Sequence, residues 1–179
     1  MVLDGLVLLF DSKRKKLTDK NDKDIIKMKR TESKVIKILK GKVYENINSG
    51  LYIESLKSLT SNTFTVAADG TGLQVRQLGK FILKWEHFDA IVKKANELGG
   101  KMYRGDVIAR SGGKLGVEIS YDCMEGFIAG ELLYGEEGKS VTRRSTYYSG
   151  ILAWAGIVML NDSDGIGSYI TVNTSFRDI

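Results

Sequence analysis

The chain has 179 residues, enough for one ordinary domain or two small ones. With 42% hydrophobic and 27% charged residues it is composed like a globular protein with a sizeable core, not like a disordered one. One cysteine, Cys123, excludes an internal disulfide and a multi-cysteine zinc site, and one histidine, His87, excludes a histidine-rich metal centre.

The balance of 27 basic against 22 acidic residues favours a polyanionic partner without demanding one. The excess is uneven. Residues 1–50 hold 13 Lys/Arg and 7 Asp/Glu, whereas residues 51–179 hold 14 and 15. Any polyanion met by the second part is therefore met by a local patch. A single thiol suits a reducing, cytoplasmic compartment. The apolar run Leu6–Phe10 is too short for a signal peptide core or a membrane span, so no membrane partner is expected.

Val2–Phe10 reads as a buried strand, or as the edge of a larger protein cut short. Asp11–Lys23 is a charge-dense connection whose Lys13–Lys16 can attract phosphate. From Asp24 to Leu39 the apolar residues Ile25, Met28, Val35, Ile36 and Leu39 fit helical spacing, with a break at Thr31–Ser33. Tyr52, Ile53, Leu56 and Leu59 suggest a short helix that ends before Ser61–Asn62. The period then changes. Phe64, Val66 and Ala68 alternate with polar residues, Asp69–Gly72 supplies a turn, and Leu73 and Val75 resume the alternation. After Gly79 comes Phe81–Leu83, completing a three-stranded meander.

Trp85–Leu98 carries one apolar stripe: Trp85, Phe88, Ile91, Val92, Ala95 and Leu98. Gly99–Gly100 stops this helix. His87 falls off the stripe and is expected to face solvent. Lys101–Ile119 reads as a loop or strand pair. Tyr121–Tyr134 reads as a helix capped by Ser120, with Cys123, Phe127, Ile128 and Leu132 facing the core.

The last long stretch, Lys139–Phe176, has a polar, basic first half and an apolar second half. A helix is expected over 140–155, capped by Ser140. With Tyr148 at the centre of its buried face, Val141, Ser145, Ile151, Leu152 and Ala155 fall beside it. Lys139, Thr142, Arg143, Thr146 and Gly150 fall opposite, with Arg144 and Tyr147 on the flanks. The exposed face thus offers cations and hydroxyls where phosphates and base edges would be. A strand over Ile157–Leu160, a turn over Asn161–Gly167 and a return strand over Tyr169–Val172 follow.

The run TRRSTYYSGILAWAGIV, entering that hairpin, resembles the third helix and wing of the winged helix-turn-helix family. The resemblance covers roughly Trp85–Phe176. It implies an α+β fold with helices at Trp85–Leu98, Tyr121–Tyr134 and Ser140–Ala155, in a winged-helix domain over residues 85–179. Residues 1–84 would form a basic helix-and-meander subdomain, loosely winged-helix-like itself. The similar modules accompany bacterial restriction and mobile-element proteins, which implies double-stranded DNA as partner and a partner or fused nuclease. Lys139, Arg143 and Arg144 would meet phosphates or guanine. Ser140, Thr142, Thr146 and Tyr147 would make hydroxyl contacts. The chain departs from the family in the long Gly99–Ile119 connection and in an acidic wing tip, Asp162 and Asp164, which would repel phosphate.

No metal or cofactor site is expected. The nearest approach is Asp106 with Glu118, a pair that a metal-dependent nuclease would need beside a lysine. Ser120 occupies the position where that lysine should be, and Lys114 is the substitute. A second alternative is a winged helix that binds protein, which predicts an exposed patch of Tyr147, Tyr148 or Trp154.

Overall fold

The structure is a computed structural model that describes residues 32–49, 51–55, 58–161 and 167–177. The strand expected at Val2–Phe10, the charged connection Asp11–Lys23, Ile25 and Met28, and the wing tip with Asp162 and Asp164 lie outside the described residues. Residues 33–179 form one compact unit.

Helix α1, Lys34–Asn46, starts where Ser33 Oγ accepts a hydrogen bond from the Ile36 backbone N–H at 3.2 Å. The break expected at Thr31–Ser33 is thus a helix start, and the helix runs on through Lys40–Asn46. Val35, Leu39 and Val43 recur every fourth residue and are fully buried. The side chains of Lys34 and Lys42 donate to the carbonyls of Ser175 and Trp154, which fastens α1 to the far end of the chain.

Next comes a four-stranded antiparallel sheet, β1 Tyr52–Ser55, β2 Ser58–Val66, β3 Gly72–Val75 and β4 Ile82–Lys84, in that spatial order. The helix expected around Tyr52–Leu59 is a hairpin instead, with Tyr52 paired to Thr63 and Ile53 to Asn62. Local spacing of four apolar residues fits a helix turn. A neighbouring strand that can satisfy the whole backbone overrides it. The meander itself stands where the alternation put it. Its turn is held by Asp69, whose carboxylate accepts from Thr71 N at 3.0 Å and Thr71 Oγ1 at 2.8 Å. Gly72 is required by close approach: a Cβ there would lie 2.3 Å from the Leu83 carbonyl oxygen across the β3–β4 pair.

Helix α2, Trp85–Glu97, buries Trp85, Phe88, Ile91, Val92 and Ala95, the expected stripe. Trp85 Nε1 donates to the Gly70 carbonyl at 2.8 Å, tying the meander turn to the helix start. Gly99 and Gly100 follow at φ +81° and +86°, the left-handed conformation that ends a helix.

The remaining elements are β5 Lys101–Tyr103, a short helix α3 Asp106–Arg110, α4 Met124–Phe127 continued by a π-helical turn Ile128–Leu132, helix α5 Ser145–Trp154, and strands β6 Val158–Asn161 and β7 Tyr169–Val172. The helix expected at Tyr121–Tyr134 is therefore shorter. It is capped by Cys123, whose Sγ accepts from Gly126 N at 3.5 Å, not by Ser120. Strands β6 and β7 form the expected antiparallel hairpin, and β5 joins β7 on its other edge, giving a second sheet in the order β5-β7-β6.

The fold is thus α+β, with five α-helices and two small antiparallel sheets among the described residues. One hydrophobic cluster runs from Val35 through Phe64, Leu83 and Phe88 to Tyr148, Ile151 and Phe176. A boundary after residue 84 falls inside that cluster. A smaller cluster of Ala109, Leu115, Ile119, Ala129 and Val141 lies under the connections between α3 and α5. No helix among the described residues is long and apolar enough to cross a membrane.

Candidate nucleic-acid interface

Residues 139–144 are not helical. Lys139 O accepts from Leu115 N at 2.9 Å and Val141 N donates to Gly113 O at 3.0 Å, so the segment runs extended beside residues 113–115. Ser140, expected as a helix cap, instead donates its hydroxyl to the Gly112 carbonyl at 3.2 Å. Helix α5 begins at Ser145 because a different group receives its free N–H groups. The Glu125 carboxylate accepts from Arg144 N at 2.8 and 2.9 Å, from Ser145 N at 2.8 Å and from Ser145 Oγ at 2.7 Å. Glu125 is fully buried, and burial pushes its pKa above the ordinary value while these donors oppose the shift. This internal carboxyl group occupies the helix N-terminus, a place otherwise suited to an external anion. In the sequence Glu125 lies off the apolar stripe of its segment, and nothing there marks it as a cap for a helix 20 residues away.

The exposed face expected on α5 does not exist. Ser145, Tyr148, Ile151, Leu152 and Ala155 are buried as expected, but on the opposite face Gly150 is buried too, and Tyr147 on the flank is 9% exposed. Thr146 is half-buried, with an Oγ1 that water does not reach and that has no hydrogen-bond partner. The reason lies in the packing. The helix is covered by β1 of the first sheet and by β6 of the second, and Tyr148 packs on Phe88 of α2 at 4.9 Å between ring centroids. A helical wheel assumes one covered side, and here β1 packs on the helix as well as β6. The patch of Tyr147, Tyr148 and Trp154 that a protein-binding winged helix would expose is also gone, since Trp154 is half-buried with its ring 5.3 Å from Phe64.

What stays at the surface is the extended segment before the helix. Lys139 is 73% exposed, 4.0 Å from Glu136, an exposed pair worth little. Thr142 is exposed. Arg143 is half-buried and has no ion pair or hydrogen bond among the described residues. Arg144 lies with its guanidinium 4.6 Å from the Phe81 ring and donates Nη1 to the Thr142 carbonyl at 3.3 Å. Desolvation lowers the Arg144 pKa, with Glu125 opposing the shift. An arginine so placed still carries its charge at neutral pH. Beside these residues is a groove of about 240 Å³ floored by Leu115, Ala129, Leu133 and Val141 and rimmed by Lys139, Thr142 and Arg144.

His87 is buried, contrary to the outward position expected, and its Nδ1 lies 2.8 Å from Tyr148 Oη. Desolvation lowers its pKa below 6.5, and burial raises that of Tyr148, so a neutral imidazole and an un-ionised phenol share this bond. The linkage sign follows. With a depressed folded pKa, His87 contributes stability that is complete above the unfolded value of 6.5 and is lost as pH falls through the folded pKa. Thermal unfolding followed from about pH 8 to about pH 5 should show the midpoint falling with acid, and less steeply in His87→Gln. Equal slopes in both proteins would remove His87 as the source.

The nuclease alternative finds its residues committed elsewhere. Asp106 takes Arg104 Nη2 at 2.5 Å and Ser168 Oγ at 3.1 Å, in a largely buried cluster beside β7. Glu118 accepts from the Lys114 backbone N–H at 2.8 Å at the surface. Among the described residues no group of three or more His, Cys, Asp or Glu side chains is placed to hold a metal ion. Cys123 is half-buried, and desolvation raises its pKa away from the reactive thiolate range. Comparison with protein-family models, with curated proteins and with solved structures gives no match for this chain.

Proposed function

We propose that the chain is a DNA-binding module, of the kind that accompanies bacterial restriction and mobile-element proteins, and that it meets duplex DNA through Lys139–Arg144 rather than through the helix behind it. The order of elements supports a winged-helix reading of residues 85–177. A first helix α2, a strand β5, a helical region α3–α4, a helix α5 and a hairpin β6–β7 follow one another, and β7 sits between β5 and β6. In this reading α5 is a buried supporting helix, and the connection into it carries the contacts.

The observation that carries the proposal is the position of Arg143. It is a cation with no partner among the described residues, between Lys139 and Arg144, on a segment whose backbone is pinned at Lys139 and Val141. A pinned backbone with a free cation is suited to a phosphate, because little side-chain and no backbone freedom is lost on binding. Catalysis then belongs to a partner or fused nuclease.

The expected result is measured by electrophoretic shift titration against mixed-sequence duplexes at two salt concentrations. Affinity should fall with salt, and Arg143→Ala should weaken binding and reduce the slope of log affinity on log salt by about one. Arg177→Ala, a cation folded back on the Val172 carbonyl at 3.3 Å, should change neither. Equal and negligible effects of the two substitutions would remove residues 139–144 as the interface. A protein-binding module is the second reading, favoured by the exposed Val107 and Ile108 of α3. It predicts a protein partner whose affinity does not respond to salt.

A further inference from the structure

Gly41 sits in the middle of α1, and nothing inside the protein calls for it. It is not among the glycines with positive φ, and a Cβ there would meet no atom within 4 Å. Glycine weakens a helix interior more than any residue but proline. What it gives in return is room for another backbone to come close. Among the described residues no other part of the chain uses that room, so the space over Gly41 is open.

The residues around Gly41 form a face of their own. At about 100° per residue, Lys37 and Glu45 lie about 40° to either side of Gly41, and Ile38 and Tyr44 about 60° to either side. All five are exposed, Ile38 at 40% and Tyr44 at 54%. Val35, Leu39 and Val43 hold the opposite, fully buried face. The other lysines of the helix turn toward the body of the protein. Lys34 lies over the Phe176 ring at 5.1 Å, Lys40 over Trp85 at 5.5 Å and Lys42 over Trp154 at 5.0 Å. Lys37 and Glu45 are therefore the charges this face presents. Neither has an ion pair among the described residues.

The face is complementary to itself. Suppose it is laid antiparallel on a second copy, with the two-fold axis passing beside Gly41. Each residue then comes level with the one equally far along on the other side of Gly41. Lys37, four residues before, meets the height of Glu45, four after. Ile38, three before, meets that of Tyr44, three after. Symmetry makes each pairing twice. At the centre Gly41 faces Gly41, where the missing side chains let the two helices touch. A parallel arrangement would set Lys37 against Lys37 and Glu45 against Glu45, so the charges select the antiparallel one.

We infer that the exposed face of α1 is a contact between two copies of this chain, an antiparallel helix pair crossing at Gly41 with Lys37 of each copy paired to Glu45 of the other. Five residues a side fall short of the roughly 20–30 of a standard stable interface, so the dimer is weak and reversible. It stands apart from whatever residues 139–144 bind.

Sedimentation equilibrium of the full chain over a range of loading concentrations reads the association. Wild type should show a monomer–dimer equilibrium. Lys37→Glu and Glu45→Lys should each weaken it by roughly tenfold, since each sets two like-charged pairs in place of two opposite ones. The double variant with both substitutions should recover the wild-type dimer. An equimolar mixture of the two single variants should recover it too, because their heterodimer restores both pairs. Gly41→Leu should abolish the dimer without lowering the thermal midpoint of the monomer, because the space over Gly41 is open and leucine favours a helix. A wild type that stays monomeric at every concentration overturns the inference. So do single variants that associate like wild type, or a double variant no better than either single one. Binding of another protein or a polyanion to this face, without self-association, overturns it as well.

Discussion

Replacing Glu125 by alanine is expected to lower the folding free energy by about 1–3 kcal/mol, in the range for leaving buried donors unmade. Two backbone N–H groups and one hydroxyl converge on this carboxylate, and Ser145, which supplies two of the three donors, is itself fully buried. No water reaches Ser145 to replace the lost acceptor. The start of α5 should therefore fray, and because α5 lies at the centre of the main cluster the loss reaches the whole unit. Chemical denaturation with tryptophan fluorescence measures it, since Trp154 ends that helix. A change under about 0.5 kcal/mol, the usual size for a surface substitution, would show that the cap is dispensable.

Glu125→Gln separates charge from shape. The folded pKa of Glu125 is raised above its unfolded value of 4.5, chiefly by desolvation. Its contribution is therefore complete below 4.5 and is lost as pH rises through the folded pKa. The stability of wild type relative to Glu125→Gln should fall over that rise. A difference that grows with pH would mean that the donors outweigh burial.

Tyr148→Ala should cost more, about 3–5 kcal/mol, the range for emptying a buried aromatic site. The side chain is fully buried, its ring lies 4.9 Å from Phe88, and its hydroxyl is paired with His87. Tyr148→Phe keeps the ring and removes only the hydroxyl, leaving His87 Nδ1 without its partner, at a cost of about 1–3 kcal/mol. Urea unfolding of the two variants gives the comparison. If the two substitutions cost the same, the hydroxyl would be the main contributor and the ring packing would not matter.

The elements that sequence patterning located are those whose determinants are local. The stripe of α2, the alternation of β2 and β3 around Asp69–Gly72, and the β6–β7 hairpin each carry their own period and turn residues. The hairpin β1–β2 was not legible, because its pairing partner decides it and its apolar spacing also suits a helix turn. The candidate segment was half legible: Lys139 and Thr142 stand at the surface as expected, but residues 140–144 are not helical. The start of α5 is set by Glu125, whose role depends on an approach of two segments that no periodicity records. The burial of Thr146, Tyr147 and Gly150 goes with β1 packing on α5 as well as β6, which a one-sided wheel leaves out. His87 was misplaced for the same kind of reason, since a polar residue beside a stripe is read as exposed until Tyr148 supplies its bond.

The fastening of α1 to the far end of the chain has a consequence for how this protein can be reshuffled. Lys34 and Lys42 reach the carbonyls of Ser175 and Trp154, and Phe64 of the first sheet closes over the Trp154 ring. The segment bearing Arg143 is held by a helix that these early residues cover. A recombination that carried only residues 85–179 into another protein would leave the covering pieces behind and bare the apolar side of α5. Moving the Arg143 segment into another protein with its packing intact therefore requires residues 33–84 to go with it.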